Sequence, residues 1–149
     1  MNYSALYTED YANGEGARVT LFVSGCSHGC KGCHNLKAQH PKFGTEYTED
    51  TYWEIISALE DKDGLSLSGG DPLYPKNRKQ ILELVSGVKS IYPNKDIWLW
   101  TGYLLEDVQD LEILKYVDVL IDGKYDSSKP TMLPWRGSDN QVLYRLSVS

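Results

Sequence analysis

The sequence predicts an α/β fold, either part of a TIM-type βα barrel or an open curved sheet, with about four to five largely parallel strands. Three observations carry this expectation. From residue 18, short β-branched and aromatic runs alternate with longer stretches of helical periodicity, the order expected of βα units around a parallel sheet. Every distinctive cluster of glycine, cysteine and polar residues follows a predicted strand, so the clusters meet at the carboxyl edge of the sheet. The chain has 149 residues, whereas a closed eight-unit barrel takes about 250. One domain spanning residues 1–149 is therefore expected.

Arg18 to Ser24 (RVTLFVS) reads as the first strand. Thr48 to Glu60 reads as a helix, with Thr48 or Thr51 as N-cap, acids in the first turn, and Trp53, Ile56 and Leu59 on one face. Leu65 to Ser68 is a short second strand. Pro75 opens a helix in which Ile81, Leu84, Val85, Val88 and Ile91 recur at helical spacing before Pro93-Asn94 ends it. Ile97 to Thr101 makes a third strand, and Val108, Leu111 and Leu114 mark a third helix. Val117 to Ile121 and Gln141 to Leu146 complete the strands.

The formal charge of −6 and the lack of any basic run argue against nucleic acid or an anionic membrane as partner. No stretch reaches transmembrane length, and the N-terminus has no secretory pattern. Three clustered cysteines in such a chain point to a reducing cytoplasm.

Cys26, Cys30 and Cys33 are the only cysteines. Their spacing, C-x3-C-x2-C, offers three thiolates, while a closed zinc site or a fully ligated iron–sulfur cubane needs a fourth protein ligand. A cluster with one open iron fits this set. Two alternatives stay open: a Cys3His zinc site completed by His28 or His34, and a dithiol pair at Cys30 and Cys33. Gly25, Gly29 and Gly32 allow the loop to wrap around one centre. Gly69-Gly70-Asp71-Pro72 reads as a plain turn by itself, but beside the cysteine loop it becomes a ligand turn, with Asp71 suited to an ammonium group. Trp98 and Trp100 share one strand face, either in the core or lining the site. Asn13-Gly14-Glu15-Gly16 precedes a strand, the wrong context for a dinucleotide loop. Lys124, Arg136 and Arg145 are either partner contacts or plain surface cations.

Taken together, these segments resemble the radical S-adenosylmethionine superfamily and, within it, the branch that activates anaerobic ribonucleoside-triphosphate reductases. The resemblance runs through Asn13-Gly14, Gly16 and Arg18, LFVSGC, Gly32 to Asn35 and SLSGGDPL at Ser66 to Leu73. It continues through DIWLWTGY at Asp96 to Tyr103, DGK at Asp122 to Lys124, and WRGS with Asn140-Gln141. It implies a partial barrel of the radical S-adenosylmethionine type and a 4Fe-4S cluster on Cys26, Cys30 and Cys33. The open iron would be chelated by the amino and carboxylate groups of S-adenosylmethionine. Gly69, Gly70 and Asp71 would contact the amino group, and Gly32, Cys33 and His34 would run beside the cofactor. The implied partners are the reductase large subunit, carrying the target glycine, and a reduced flavodoxin-type electron donor. The cofactors carry the chemistry, so no general base is assigned. A deazaguanine-type enzyme acting on a small molecule and a zinc-bound interaction module are the competing readings.

Three positions depart from the family pattern. Glu15 stands where proline is usual, Asp139 replaces a small polar residue, and His34 replaces a common tyrosine. Gly32 is shared with the activator branch.

Changing Cys26, Cys30 or Cys33 singly to alanine is expected to abolish S-adenosylmethionine cleavage while the fold survives. The readouts are 5'-deoxyadenosine release and visible absorbance after anaerobic reconstitution. A normal cluster with normal release in any one variant would refute the ligand set.

Overall fold

In a computed structural model that describes residues 1–26, 28 and 39–146, the chain folds around a seven-stranded sheet. Its strands are β1 (Asn2–Asp10), β2 (Arg18–Val23), β3 (Thr45–Glu46), β4 (Gly64–Gly69), β5 (Asp96–Trp100), β6 (Val119–Asp122) and β7 (Val142–Arg145). The spatial order is β3-β1-β2-β4-β5-β6-β7. The central pairs β2–β4, β4–β5 and β5–β6 are parallel. The flanking pairs β1–β2, β1–β3 and β6–β7 are antiparallel.

The four strands predicted in the middle of the chain are all present, but the count of four to five is corrected to seven. The predicted fifth strand, here β7, runs antiparallel. β1 and β3 carried no signal. β1 (NYSALYTED) has few β-branched apolar residues and is nowhere fully buried, so its alternation is weak. Backbone pairing with β2 organises it, with register shifts between Tyr3 and Ala5 and between Tyr7 and Asp10.

Side-chain alternation divides the sheet into two unlike faces. Val19, Leu21, Val23, Leu65, Leu67, Ile97, Leu99 and Leu120 are buried against the helices α1 (Glu49–Ala58) and α2 (Arg78–Ile91). The helices contribute Ile55, Ile56, Ile81, Leu84, Val85 and Val88 to this layer. Each such side chain contributes about 1.5–3 kcal/mol of transfer free energy. The opposite face carries Arg18, Thr20, Phe22, Ser66, Ser68, Trp98 and Trp100, and its small apolar cluster of Trp98, Val119 and Ile121 packs with Trp100, Trp135 and Leu143.

Both main helices begin as their sequences dictate. Thr48 is the N-cap of α1, and its backbone N–H donates to Thr51 Oγ1 at 3.1 Å. Pro75 starts a 3-10 turn, Pro75–Asn77, which leads into α2. The predicted helical faces need two corrections. Trp53 is 50% exposed, and Ile55 takes its place in the core. At about 100° per residue, position 53 lies about 120° from Leu59, off the stripe centred on Ile55 and Ile56. Ile91, the last residue of α2, is also exposed and borders a surface recess with Lys62, Pro93 and Lys95. The predicted third helix is broken. A single turn, α3 (Leu105–Val108), is followed by a 3-10 segment, Glu112–Tyr116, because Leu111 adopts an extended backbone with ψ 133°.

Arg18 ties together the amino ends of the central strands from the less apolar face. Its fully buried guanidinium donates to Ser66 Oγ at 2.6 Å, Leu65 O at 2.9 Å and Glu15 O at 2.9 Å. It also pairs with Asp96 at 2.8 Å and lies over the Trp98 ring. This network explains the Asn13 to Gly16 segment as scaffold, since Asn13 O accepts from Ser66 Oγ.

Arg18→Met, which keeps apolar bulk and removes every one of these donors, is expected to destabilise the fold by about 2–4 kcal/mol. Urea unfolding would show a lower midpoint at unchanged slope. An unchanged midpoint would show that the network adds nothing to stability.

Candidate functional site

The parallel register aligns the ends of β2 and β4, with Val23 opposite Gly69. At that edge the chain turns sharply. Gly69 has φ +109°, and a Cβ there would overlap the backbone O and N of Val23. Only glycine lets the turn lie so close to β2. Gly70 N–H then donates to Val23 O at 2.8 Å, and Asp71 N–H to Gly25 O at 2.7 Å. Buried Asn77 clamps the same corner, its amide donating to Ser24 O at 2.9 Å and Asp71 O at 3.1 Å.

Asp71 is fully buried, and four protein donors converge on its carboxylate. Leu73 N–H reaches Oδ1 at 2.9 Å, and Thr101 Oγ1 lies 2.8 Å from Oδ1 and 3.0 Å from Oδ2. Gly102 N–H reaches Oδ2 at 3.0 Å, and His28 Nε2 donates to Oδ2 at 2.5 Å. A carboxylate offers about four lone-pair sites. Protein groups occupy these positions among the described residues, so the carboxylate acts as an internal anchor of the turn.

His28 belongs to the cysteine loop and sits between Asp71 and Tyr103. Its ring meets Tyr103 edge-on at 4.6 Å. Gly102 has no side chain to obstruct it, and a Cβ there would overlap the imidazole. The Thr101-Gly102-Tyr103 segment thus receives the histidine with a hydroxyl, a backbone N–H and an aromatic edge. With Nε2 bound to Asp71, His28 has committed one of its two possible ligand atoms.

Cys26 follows β2, and its N–H donates to Gln39 O at 3.0 Å, joining the two ends of the cysteine loop. Cys30, Gly32, Cys33 and His34 lie outside the described residues. Of the predicted site residues, the structure brings Cys26, Gly69, Gly70 and Asp71 to one corner. Thr101-Gly102-Tyr103 is one of the clusters expected to meet at the carboxyl edge of the sheet, with no individual role assigned from sequence, whereas Asn77 carries no sequence signal.

A cleft of about 740 Å³ opens on the less apolar face beside this corner. Phe22, Ser68, Gly69 and Trp100 line its floor, and Asn13, Trp135 and Arg136 its sides. The two tryptophans of β5 divide the alternatives: Trp98 is core, while Trp100 faces the cleft. Trp100 Nε1–H donates to Trp135 O at 2.7 Å. Trp135 has φ +66°, a left-handed conformation that costs a non-glycine residue roughly 1–3 kcal/mol. Its ring packs edge-on against Trp98 at 5.6 Å, which offsets that cost.

The other flagged residues fall into place around the site. Arg145 makes an exposed pair with Glu15 at 3.2 Å, which gives the departure at position 15 a partner. Asp139 accepts from Thr131 Oγ1 at 3.1 Å. Lys124 lines a second recess with His28, Gly102 and Asn140.

Comparison with known proteins gives a consistent result. A family model described as a 4Fe-4S single cluster domain matches residues 12–144. A protein of Enterobacteria phage T4 is 54% identical over 97% of this chain and 94% of its own length. Relatives from Vibrio cholerae and Escherichia coli K12 are 48% and 44% identical over 99% and 98% of this chain, covering 100% and 99% of their own. All three relatives are named anaerobic ribonucleoside-triphosphate reductase-activating protein.

Asp71→Ala would leave four donors without an acceptor. It is expected to cost about 3–5 kcal/mol in the metal-free protein, and Asp71→Asn, which keeps one oxygen, distinctly less. Denaturant unfolding of the three forms checks this order. Equal stability of wild type and the alanine variant would contradict it.

Proposed function

Because the chain belongs to the anaerobic ribonucleoside-triphosphate reductase-activating proteins, we propose that it activates such a reductase as a single-domain radical S-adenosylmethionine enzyme. Its sheet is read as an open, partial barrel. The observation that carries the proposal is the corner where the cysteine loop, through His28, and the Gly69-Gly70 turn share one buried carboxylate beside a cleft.

The residues present fit an iron–sulfur cluster. Three thiols on a short glycine-bearing loop, with its ends joined through Cys26 and Gln39, form a donor set one ligand short of closure. The match to a 4Fe-4S single cluster domain supports the same resident group. Cys26, Cys30 and Cys33 would hold it. When bound, the cluster and S-adenosylmethionine supply the chemistry: one electron splits the sulfonium into methionine and a 5'-deoxyadenosyl radical, which takes hydrogen from a glycine Cα and leaves a glycyl radical.

The protein binds, aims and excludes water. Gly69 and Gly70 present close backbone to the methionine amino group, and Asp71 sets that backbone by fixing the turn. By the family resemblance, Gly32, Cys33 and His34 would be the loop residues beside the cofactor. Phe22, Trp100 and Trp135 give the cleft walls of low polarity, which shield a reactive centre from solvent. A reduced flavodoxin-type protein is the proposed electron donor.

Gly70→Val is expected to weaken S-adenosylmethionine binding while cluster assembly persists, as measured by equilibrium binding to the reconstituted protein. Unchanged affinity would mean that the turn is only structural. The reaction itself is tested with reductase deuterated at glycine Cα, where label is expected in the released 5'-deoxyadenosine and a glycine-centred signal in electron paramagnetic resonance. Absence of label despite turnover, with label transferred from a small molecule instead, would overturn the assignment. Zinc in place of iron and acid-labile sulfide after anaerobic reconstitution would also overturn it.

A further inference from the structure

The segment entering the Trp135 turn combines an exposed apolar pair with an arginine that has no acidic partner among the described residues. Met132 is fully exposed and Leu133 is 48% exposed, so two consecutive apolar residues of one loop lie at the surface. Three residues on, Arg136 lines the cleft without any carboxylate paired to it among the described residues. Among the described residues its Nε, shielded from solvent, has no acceptor, and Nη1 reaches Pro134 O at 3.5 Å.

This loop is held in place. Trp100 fixes the Trp135 carbonyl, and Gln141 Oε1 accepts from Gly137 N–H at 2.7 Å and Ser138 N–H at 3.1 Å. Gln141 Nε2 in turn donates to Gly123 O at 2.9 Å, tying the loop to the end of β6. A guanidinium presented on a fixed loop, half-buried and uncompensated, is suited to a carboxylate, which can accept two of its N–H groups at once. Methionine and arginine beside an aromatic wall are also the composition of protein interface cores.

We propose that residues 132–136 form the docking surface for the protein segment that enters the cleft. Met132 and Leu133 take an apolar side chain of that segment, and Arg136 takes a carboxylate carried by it. The inference rests on the cleft being the reaction site. A protein carboxylate is the favoured occupant because the apolar pair outside the cleft matches a macromolecule, not a small ligand held within it.

The test measures binding of the reductase and, separately, of S-adenosylmethionine to the cluster-loaded wild type, Arg136→Gln, Arg136→Lys and the double variant Met132→Ser/Leu133→Ser. Arg136→Gln is expected to weaken reductase binding roughly 10- to 100-fold, with S-adenosylmethionine affinity within about twofold of wild type. Lysine should restore part of the loss, and the salt dependence of reductase binding should be shallower in the glutamine variant. The serine pair should weaken the reductase alone, at an unchanged melting temperature. Reductase affinity within twofold of wild type in both Arg136→Gln and the serine pair would overturn the proposal. So would a parallel fall in S-adenosylmethionine affinity for Arg136→Gln, which would give the guanidinium to the small ligand. Failure of the wild type to bind either partner would remove the functional reading itself, and this inference with it.

Discussion

Four donors from four residues meet on the buried carboxylate of Asp71, and the arrangement of the whole site follows from that convergence. Leu73 closes the turn after β4, Thr101 and Gly102 bring in the end of β5, and His28 brings in the cysteine loop. A buried carboxylate is costly unless its lone pairs are filled, so satisfying it selects one mutual placement of three segments. Gly69 and Gly102 are the spaces that this placement demands, one against the backbone of Val23 and one under the His28 ring.

The sheet supplies the frame for that convergence. Parallel pairing aligns the ends of β2 and β4, while alternation sends apolar residues toward α1 and α2 and leaves Phe22, Ser68 and Trp100 on the other side. The same two-residue period therefore builds the core and the cleft floor. Arg18 stabilises the cleft side from the opposite end of the strands, through bonds to Ser66 and Leu65 and through Asp96. Its burial without loss of partners explains how a sheet face with few aliphatic side chains remains well packed.

Much of this was legible in the sequence because it depends on local periodicity. The central strands and the two main helices follow from runs such as RVTLFV and from the spacing of Ile81, Leu84, Val85 and Val88. What escaped depends on tertiary context. β1 exists because β2 offers it an edge, not because NYSALYTED prefers a strand. The third helix breaks at Leu111, where the apolar spacing is retained but the backbone is extended. Gly-Gly-Asp-Pro alone does not reveal that Thr101, Gly102 and His28 meet on the Asp71 carboxylate. The cysteine spacing names a donor type and leaves the geometry open, since thiolate ligation depends on residue type before it depends on fold.

Amide hydrogen exchange in the metal-free protein tests most directly whether the Asp71 convergence is formed before any cluster is present. Leu73 and Gly102, whose N–H groups end on that carboxylate, are the two reporters. Slow exchange at both, comparable with the central strand amides of β4 and β5, is the expected result. Exchange at the rate of exposed loop amides, with protection appearing only after the cluster is loaded, would show that the metal centre organises the site and that the carboxylate does not.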